Sequence, residues 1–284
     1  MSDVIKYSKE DMRNIVDAGP TFIISNGVIL ELPESERDKY KKQISVYSKN
    51  PSDLINQIIG DRDDVSYLEI GVDEGETFDR VKSTNKHGVD PYGGSKSITH
   101  KLTSQMFFAM NRYFYQNTYD IIFIDGCHMA EIIEQEVSQS LRILNPGGVI
   151  ILHDTVPVKE SAQLIIKHEQ ESFIYGHSSD DSSFREYSKE NPWIGYNGDS
   201  WKTVYALRQV CPSAKLGIYT AADACCTVVI REPTLESTPA PPVTEELTWD
   251  YYCRNAVDIL QPVNFDELTS ILNDRLNSYK DREK

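Results

Sequence analysis

Short strand-like runs that alternate with helical patterns constrain the fold of this chain more than any other feature of its sequence. Each run is followed by a turn, and three of the four are then followed by a pattern with helical periodicity. The runs lie at residues 65–70, 88–90, 119–125 and 149–153. Because strands that alternate with helices usually pair in parallel, the pattern predicts an α/β fold with a doubly wound, mostly parallel sheet.

Charge and composition exclude several classes of protein. The 284 residues include 29 basic and 44 acidic side chains, a formal net charge of −15, which argues against a nucleic-acid partner. No apolar run reaches the roughly 18 residues of a membrane helix, and the first residues lack the apolar core of a secretory signal. Five cysteines without a CxxC pair fit a reducing compartment. We therefore expect a cytoplasmic protein with a small or neutral substrate, and a homo-oligomer stays possible.

Changes in composition along the chain predict four parts. Residues 1–63 form an addition of mixed helical and extended character, and residues 64–231 form the central domain. Four prolines mark residues 232–247 as a linker, and residues 248–284 form a helical segment with two amphipathic patches. The polar stretch 175–200 is too long for an ordinary connection, so we interpret it as a functional lid or a disordered segment.

The first strand runs into an acidic turn with two glycines. The strand ends with Glu69, and Gly71 and Gly75 let the backbone turn sharply and approach a ligand closely. The turn matches neither GxxxxGK[ST] nor GxGxxG, and its carboxylates would repel a diphosphate but tolerate the cationic S-adenosylmethionine (SAM). About twenty residues on, Asp90 follows the second strand and is a candidate ligand of ribose hydroxyls. The two motifs favour SAM, and the alternative is a tight turn with Asp90 as a loop cap.

Carboxylates and imidazoles follow the next two strands. Asp125 ends one strand, with His128 three residues later at a helix start, and His153 and Asp154 end the other. If these strands are neighbours, their ends lie about 5 Å apart and the four side chains meet. Asp125, Asp154 and His153 are candidate metal ligands; the oxygens favour Mg²⁺ or Mn²⁺, and His153 favours a transition metal.

The same cluster offers a catalytic base. A neutral His128 could take a proton from a substrate hydroxyl, with Asp125 beside it in the catalytic set. The helix N-terminus would lower the pKa of this imidazole and keep it neutral. The structural alternatives are that Asp125 caps the following turn and that His128 is an ordinary first-turn residue.

Five motifs, in this order, resemble the class I SAM-dependent methyltransferases, most closely the branch often found with glycan-building enzymes. They are LEIGVDEG, GVDP, FIDGCH, LNPGGVIILHDTVP and NGDSWK, and the resemblance covers residues 64–231. It implies a Rossmann-like, seven-stranded sheet with one antiparallel strand. By the same resemblance, four residues would contact the cofactor: Glu69, Gly71, Gly75 and Asp90.

The resemblance also carries roles for the second cluster. Relatives that methylate sugar hydroxyls hold a metal ion with acidic residues at two strand ends, and some of them use a histidine base. Position by position, Asp125 and Asp154 match the metal ligands and His128 matches the base, whereas His153 stands where those relatives have an acid. The NGDSWK segment resembles the same branch without an assigned role; Asp199 or Ser200 is a candidate helix cap, with Trp201 packed beneath it.

These observations predict an O-methyltransferase that acts on a sugar hydroxyl of a glycan or glycosylated metabolite, with a divalent metal and a histidine base. One alternative is methylation of a phenolic or other small-molecule hydroxyl, whose own acidity makes a base less necessary. Another is a non-catalytic cofactor-fold module that binds a glycosyltransferase partner through its terminal helices.

Overall fold

The computed structural model describes residues 22–25, 28–31, 33–35, 47–163, 197–231, 238–241 and 246–280. Most of the predicted N-terminal addition and of the predicted lid lie outside these residues. The part of the addition that is described includes an antiparallel pair of strands, β1 (Phe22–Ser25) and β2 (Val28–Glu31).

The main sheet has six strands in the order β4-β3-β5-β6-β8-β7. They are β3 (Ser66–Ile70), β4 (Asn85–Val89), β5 (Tyr119–Ile124), β6 (Leu144–Leu152), β7 (Leu216–Ala221) and β8 (Cys226–Arg231). Strands β3 to β6 pair in parallel, whereas β8 runs antiparallel to both of its neighbours. The prediction of a doubly wound, mostly parallel sheet with one antiparallel strand is confirmed.

The expected count of seven strands is wrong for the described part of the chain. The missing strand would lie beside β4, where Val89 and His100 form only an isolated parallel bridge. The N–H groups of Thr99 and His100 both donate to the Gly88 carbonyl, at 3.0 and 2.9 Å. Thr103 already caps the next helix, so the chain leaves the sheet edge after two residues.

Helices cover both faces of the sheet. They are α1 (Pro51–Ile59), α2 (Ser104–Met110), α3 (Ala130–Ile143), α4 (Trp201–Ala214), α5 (Trp249–Leu260) and α6 (Phe265–Lys280). Within the described ranges, no helix combines the length and the apolar character that crossing a membrane requires. A five-residue π-helix at Asn111–Tyr115 continues α2.

Alternating residues of the central strands divide the core into two layers. Ile122 and Ile124 of β5 belong to the layer that includes Trp201 of α4, whereas Ile121 and Phe123 belong to the layer that includes Leu272 of α6. All four β5 side chains are buried, as expected for a parallel strand covered on both faces. Residues 249–280 thus contribute to the core, and the predicted domain limits stay predictions.

Candidate active site

The carboxyl ends of three central strands meet at one edge of the sheet. Ile70 pairs with Ile124, and Ile124 pairs with Leu152, so the residues that follow these three positions leave the sheet side by side. The N–H of Asp125 donates to the Ile70 carbonyl at 2.8 Å, and the N–H of His153 donates to the Ile124 carbonyl at 3.0 Å. The fold therefore brings together the two motifs that the sequence analysis treated separately.

Gly71 allows the first turn to pack against the loop after β5. Its φ is +87°, and a Cβ atom at this position would overlap the backbone of Asp125 and Gly126. Gly75 has the same φ of +87°, but a Cβ atom there would meet the Ser95 side chain, with 2.8 Å to its Oγ. Both positions suit glycine, and only Gly71 makes a close backbone approach to the second motif.

A cavity of about 140 Å³ opens beside this turn. Its walls come from β3, β4 and the loops and helices that follow β3, β4 and β5: Ile70, Gly71, Val89, Asp90, Pro91, Tyr92, Thr103, Ser104, Gly126, Cys127 and Glu136. Two of the four predicted cofactor residues, Gly71 and Asp90, are part of these walls.

The Asp90 carboxylate organises the loop around the cavity. Its Oδ1 accepts hydrogen bonds from the N–H groups of Tyr92 and Gly93, at 2.7 and 2.5 Å, and its Oδ2 accepts one from the N–H of Asp73, at 2.9 Å. Two carboxylate oxygens together offer about four acceptor sites. The three hydrogen bonds leave acceptor capacity on Oδ2.

Glu69 faces the opposite layer from Ile70 and does not line the cavity. Its Oε2 accepts a short hydrogen bond from the hydroxyl of Tyr67, two residues earlier on the same face of β3. The side chain is buried, and burial raises the pKa of Glu69 to about 8, although the Tyr67 hydrogen bond opposes this shift. In this position Glu69 is hydrogen-bonded within β3. Its predicted contact with the cofactor stays a prediction.

The four residues of the second motif form one cluster. His153 Nδ1 lies 2.9 Å from Asp125 Oδ1 and 3.5 Å from Asp154 Oδ2. His128 Nε2 lies 3.5 Å from Asp125 Oδ1 and 3.3 Å from Asp154 Oδ2. Each of the two imidazoles therefore faces both carboxylates, and all four side chains are partly exposed at the sheet edge.

The charges in this cluster shift one another's pKa values. Burial opposes ionisation of Asp125, but His153 and His128 outweigh it and hold the pKa of Asp125 well below its usual range. Burial raises the pKa of Asp154 despite the same two imidazoles. For His153, burial is outweighed by Asp125 and Asp154, which raise its pKa to about 9. The two carboxylates therefore favour the positively charged form of His153.

Asp125, His128 and Asp154 could hold a metal ion. Each offers one ligand atom, and these three atoms lie within 4.8 Å of one another. Two oxygens and one nitrogen suit a divalent cation such as Mn²⁺ or Mg²⁺. His153, the third ligand in the sequence-based prediction, does not belong to this set, and its Nδ1 instead contacts Asp125.

The segment 197–200 forms hydrogen bonds with residues that follow β5 and with residues that follow β6. The side-chain amide of Asn197 donates to Asp154 Oδ1 at 3.1 Å, and the Ser200 hydroxyl donates to the Asp154 carbonyl. Asp199 caps α3 rather than its own helix, because its Oδ1 accepts from the N–H of Ala130 at 2.7 Å. Trp201 is fully buried, which agrees with its interpretation as a packing residue.

Sequence reasoning missed several residues of the site. Gly126 and Cys127 lie inside the DGCH motif, so their position between Asp125 and His128 was a signal for them. Asn197 was visible only as part of a motif without a role. Ser104 and Glu136 had no sequence signal, because only the packing of α2 against α3 brings them to the cavity.

Residues 68–155 match a family model described as a methyltransferase domain. No curated protein matches the chain. Several solved structures are similar to it. The MycE methyltransferase from the mycinamycin biosynthetic pathway, in complex with Mg and SAH, is 15% identical; the match covers 71% of this chain and 61% of that chain, with a TM-score of 0.38. This chain therefore spans about three fifths of the length of that protein.

Two other structures are similar over more of their own length. The O-methyltransferase from Bacillus cereus in complex with SAH is 17% identical, over 66% of this chain and 84% of that chain, with a TM-score of 0.39. The N-methyltransferase NodS from Bradyrhizobium japonicum is 13% identical, over 63% and 90%, with a TM-score of 0.32. At such values these likenesses carry no argument about chemistry.

The order of the strands and the direction of β8 come from the structure itself, and the family-model match comes from the sequence. The match begins in β3 and ends at Thr155, just after β6, so it spans both motifs of the candidate site. Residues 68–155 are therefore similar to a methyltransferase domain, and the main sheet has the Rossmann-like fold of the class I methyltransferases.

Proposed function

We propose that this protein is a SAM-dependent O-methyltransferase that transfers a methyl group to a hydroxyl of a sugar, in a glycan or a glycosylated metabolite. One observation carries the proposal. The four-residue loop after β5 belongs to both halves of the site: Gly126 and Cys127 line the cavity, while Asp125 and His128 belong to the charged cluster. A donor in the cavity would therefore lie next to the groups that handle the acceptor.

The residues around the cavity fit SAM. Gly71 lines the cavity, and Oδ2 of Asp90 retains acceptor capacity for a ribose hydroxyl. Asp73, Glu74 and Glu76 make the adjoining turn acidic. Such a turn is compatible with a sulfonium and an ammonium group, whereas a diphosphate would be repelled.

The charged cluster fits a divalent cation. Asp125 and Asp154 would hold it through carboxylate oxygens, and we keep His153 in the ligand set, as the sequence predicts. A bound cation would lower the pKa of an acceptor hydroxyl and fix its position. Asn197 holds Asp154, so this carboxylate is oriented before any ligand arrives.

His128 is the proposed general base. Its Nε2 would take the proton of the acceptor hydroxyl while the oxygen bonds to the methyl carbon of SAM, the bond from that carbon to the sulfonium sulfur breaks, and SAH leaves. The imidazolium that results lies between Asp125 and Asp154, whose oxygens are 3.5 and 3.3 Å from Nε2. Two carboxylates at this distance stabilise the positive charge, and a positioned base typically contributes about 10²–10⁴ in rate.

The sugar in this proposal rests on the resemblance of the motifs to the glycan-associated branch. Methyl transfer is an in-line displacement at carbon, so the chain acts mainly by positioning two ligands. His128 becomes useful when the acceptor is an alcohol, because an aliphatic hydroxyl holds its proton far more tightly than a phenol does. A base and a cation site at the same edge therefore favour the sugar hydroxyl over the phenolic alternative.

The experiment is calorimetry followed by turnover. We expect S-adenosylhomocysteine (SAH) to bind and NAD to give no heat. With a panel of sugar and phenolic acceptors, turnover by the wild type should require Mn²⁺ or Mg²⁺ and stop with EDTA. Asp125→Ala and His128→Ala should abolish turnover and retain SAH binding, whereas Asp258→Ala, an exposed carboxylate on α5, should change neither. Unchanged rates in the first two variants would contradict the proposal.

A further inference from the structure

Exposed apolar side chains are concentrated where α2 continues into the π-helix. Seven large apolar side chains of the described residues are exposed, and four of the seven belong to this short segment. The four are Met106, Tyr113, Phe114 and Tyr115, and together they form an aromatic patch in which Phe114 is the most exposed, at 71%. A single exposed apolar side chain is common, but a group of them marks an interaction surface.

A groove of about 580 Å³ runs beside this patch, between α2 and α3. One wall includes Phe108 and Tyr113, and the other comes from residues 131–139 of α3. The groove is distinct from the cavity beside the first turn, with which it shares only Ser104 and Glu136 as wall residues. Because Tyr113 belongs to both, the aromatic patch and the groove form one continuous face.

The two walls of the groove carry opposite charges. Arg112 lies on the α2 side, and Glu131 and Glu134 lie on the α3 side. Within the described ranges, no carboxylate lies at ion-pair distance from Arg112, whose guanidinium is 5.4 Å from the ring centroid of Tyr113. In the same ranges no cation pairs with Glu131 or Glu134, and burial, Asp199 and Glu131 raise the pKa of Glu134. The face therefore offers charges of both signs to a partner.

We propose that this face binds a second copy of the chain, in a dimer with two-fold symmetry. Such a dimer uses the same surface on both copies, so each feature must meet its complement on that surface. Rotation about a two-fold axis beside the groove would bring Arg112 to Glu134 of the partner subunit. The same rotation would bring Phe114 to the partner's groove.

The arrangement of charges favours a copy of the chain over an unrelated protein. A basic partner would pair with Glu131 and Glu134 but would set like charge against Arg112, and an acidic partner would do the reverse. A second copy carries both signs in the same arrangement and pairs them all. The composition agrees, because Tyr, Phe, Met and Arg are the residues enriched at protein interfaces. This inference does not depend on the proposed function.

The test is sedimentation velocity of the full chain over about 0.1–100 μM, a range that covers ordinary dissociation constants. We expect the wild type to convert from monomer to dimer as its concentration rises. Phe114→Ser should weaken self-association by at least about 100-fold, because a two-fold dimer loses the same contact twice. Val257→Ser removes another exposed apolar side chain, on α5, and should leave self-association unchanged.

Charge reversal tests the pairing between the two copies. Arg112→Glu and Glu134→Arg should each weaken self-association by at least about 30-fold, because each sets like charges against one another twice. An equal mixture of the two variants should associate to within about threefold of the wild type. In the mixed dimer one contact keeps the native charges and the other has both charges reversed, so opposite charges meet in each. Asp258→Arg, the matched reversal on α5, should have no effect.

Circular dichroism first checks that each variant is folded, and the spectra should match the wild type because the substituted side chains are exposed. A wild type that stays monomeric over the whole range would overturn the inference and leave the groove to a different occupant. A dimer that Phe114→Ser leaves intact would overturn it as well, because that dimer forms through another surface. The same conclusion follows if the mixture of charge variants associates no better than either variant alone.

Discussion

Strand β5 has an aspartate at each end, and the two carboxylates differ in almost every respect. Asp120, near the amino end, is 1% exposed and faces four donors. Its Oδ2 accepts from the N–H and the hydroxyl of Ser66, both at 2.8 Å, and from Lys280 at 2.7 Å, while its Oδ1 accepts from Asn145 at 2.9 Å. Asp125, at the carboxyl end, is partly exposed and faces two imidazoles.

The difference separates a structural carboxylate from a functional one. The partners of Asp120 are fixed donors from β3, β6 and α6, so it joins elements and has little capacity for a ligand. The partners of Asp125 are titratable and lie at an open edge beside a cavity. Burial alone does not indicate function; what matters is whether the partners leave capacity for a ligand.

The largest expected effect comes from replacing aspartate by asparagine at one end of β5 or at the other, in two separate variants. Asp125→Asn should lower kcat by about 10³-fold, because it removes a cation ligand and weakens the field at the proposed base. Its free energy of unfolding should fall by less than that of the same substitution at the fully buried Asp120, because the contacts of Asp125 with His153 and His128 stabilise the fold but are partly exposed. Acceptor turnover and urea unfolding measure the two quantities.

Asp120→Asn is the matched variant and should behave in the opposite way. It leaves Lys280 and the Ser66 N–H facing an amide, so we expect a loss of about 3 kcal/mol in the free energy of unfolding. The kcat per folded molecule should remain within about twofold of the wild type, because Asp120 touches no part of the site. Equal losses of activity in both variants would refute the distinction between the two ends.

The next prediction distinguishes the roles of His153 and His128, the two imidazoles near Asp125. We expect His153→Ala to weaken Mn²⁺ binding by about 10- to 100-fold, because His153 contacts Asp125 and is a predicted ligand. His128→Ala should abolish turnover with Mn²⁺ affinity within about threefold of the wild type, since a base is not a ligand. Calorimetry with Mn²⁺ alone measures both. A large loss of affinity in His128→Ala would instead make His128 the third ligand.

Much of this arrangement could be predicted from the sequence. The parallel order of β3, β5 and β6 follows from apolar runs that alternate with helices, and each run ends at the residue where the site begins. Because parallel strands end at one edge, Asp125 and His153 could be expected side by side before any coordinates. The period of two in β5 likewise predicts its two core layers.

What could not be predicted depends on the direction of individual side chains, on the packing of helices and on the residue where one helix begins. The sequence of β3 gives no sign that Glu69 pairs with Tyr67 and turns away from the cavity, because either face of a fully buried strand can carry a carboxyl group. Glu136 reaches the cavity only through the packing of α2 on α3. The edge strand beside β4 is lost because Thr103 starts a helix early, a local effect that a family pattern does not contain.

A smaller effect tests whether the first turn and the second motif act together. Gly71→Ala and Gly75→Ala impose the same backbone strain, since both residues have a φ of +87°. Only the first adds an overlap with the backbone of Asp125 and Gly126, whereas the second meets the Ser95 side chain, which can move. We expect SAH affinity to fall about tenfold in Gly71→Ala and about twofold in Gly75→Ala.

A double variant completes this comparison. Gly75→Ala combined with Ser95→Ala removes the shortest contact, the one with Ser95 Oγ, and leaves the strain, so its affinity should match that of Gly75→Ala or improve on it. Equal losses in Gly71→Ala and Gly75→Ala would mean that strain alone controls the turn. The two motifs would then not be coupled through this contact.

The smallest effect concerns Glu69, a third carboxyl group close to this edge. Burial raises the pKa of Glu69 to about 8, so the folded state holds its proton more tightly than the unfolded state does. The stability that this proton contributes is fully present below the ordinary pKa of a glutamate and is lost as the pH rises toward 8.

Glu69→Gln isolates this contribution. Between pH 6 and 7, the free energy of unfolding of the wild type should fall by about 1 kcal/mol more than that of the variant, since one proton is linked to unfolding in this range. Urea titrations at pH 5, 6, 7 and 8 measure the difference, and every other titrating group cancels because both proteins contain it. Parallel curves would mean that Glu69 is already ionised in the folded state. In that case the attraction of Lys86, which lowers the pKa of Glu69, would outweigh the effect of burial.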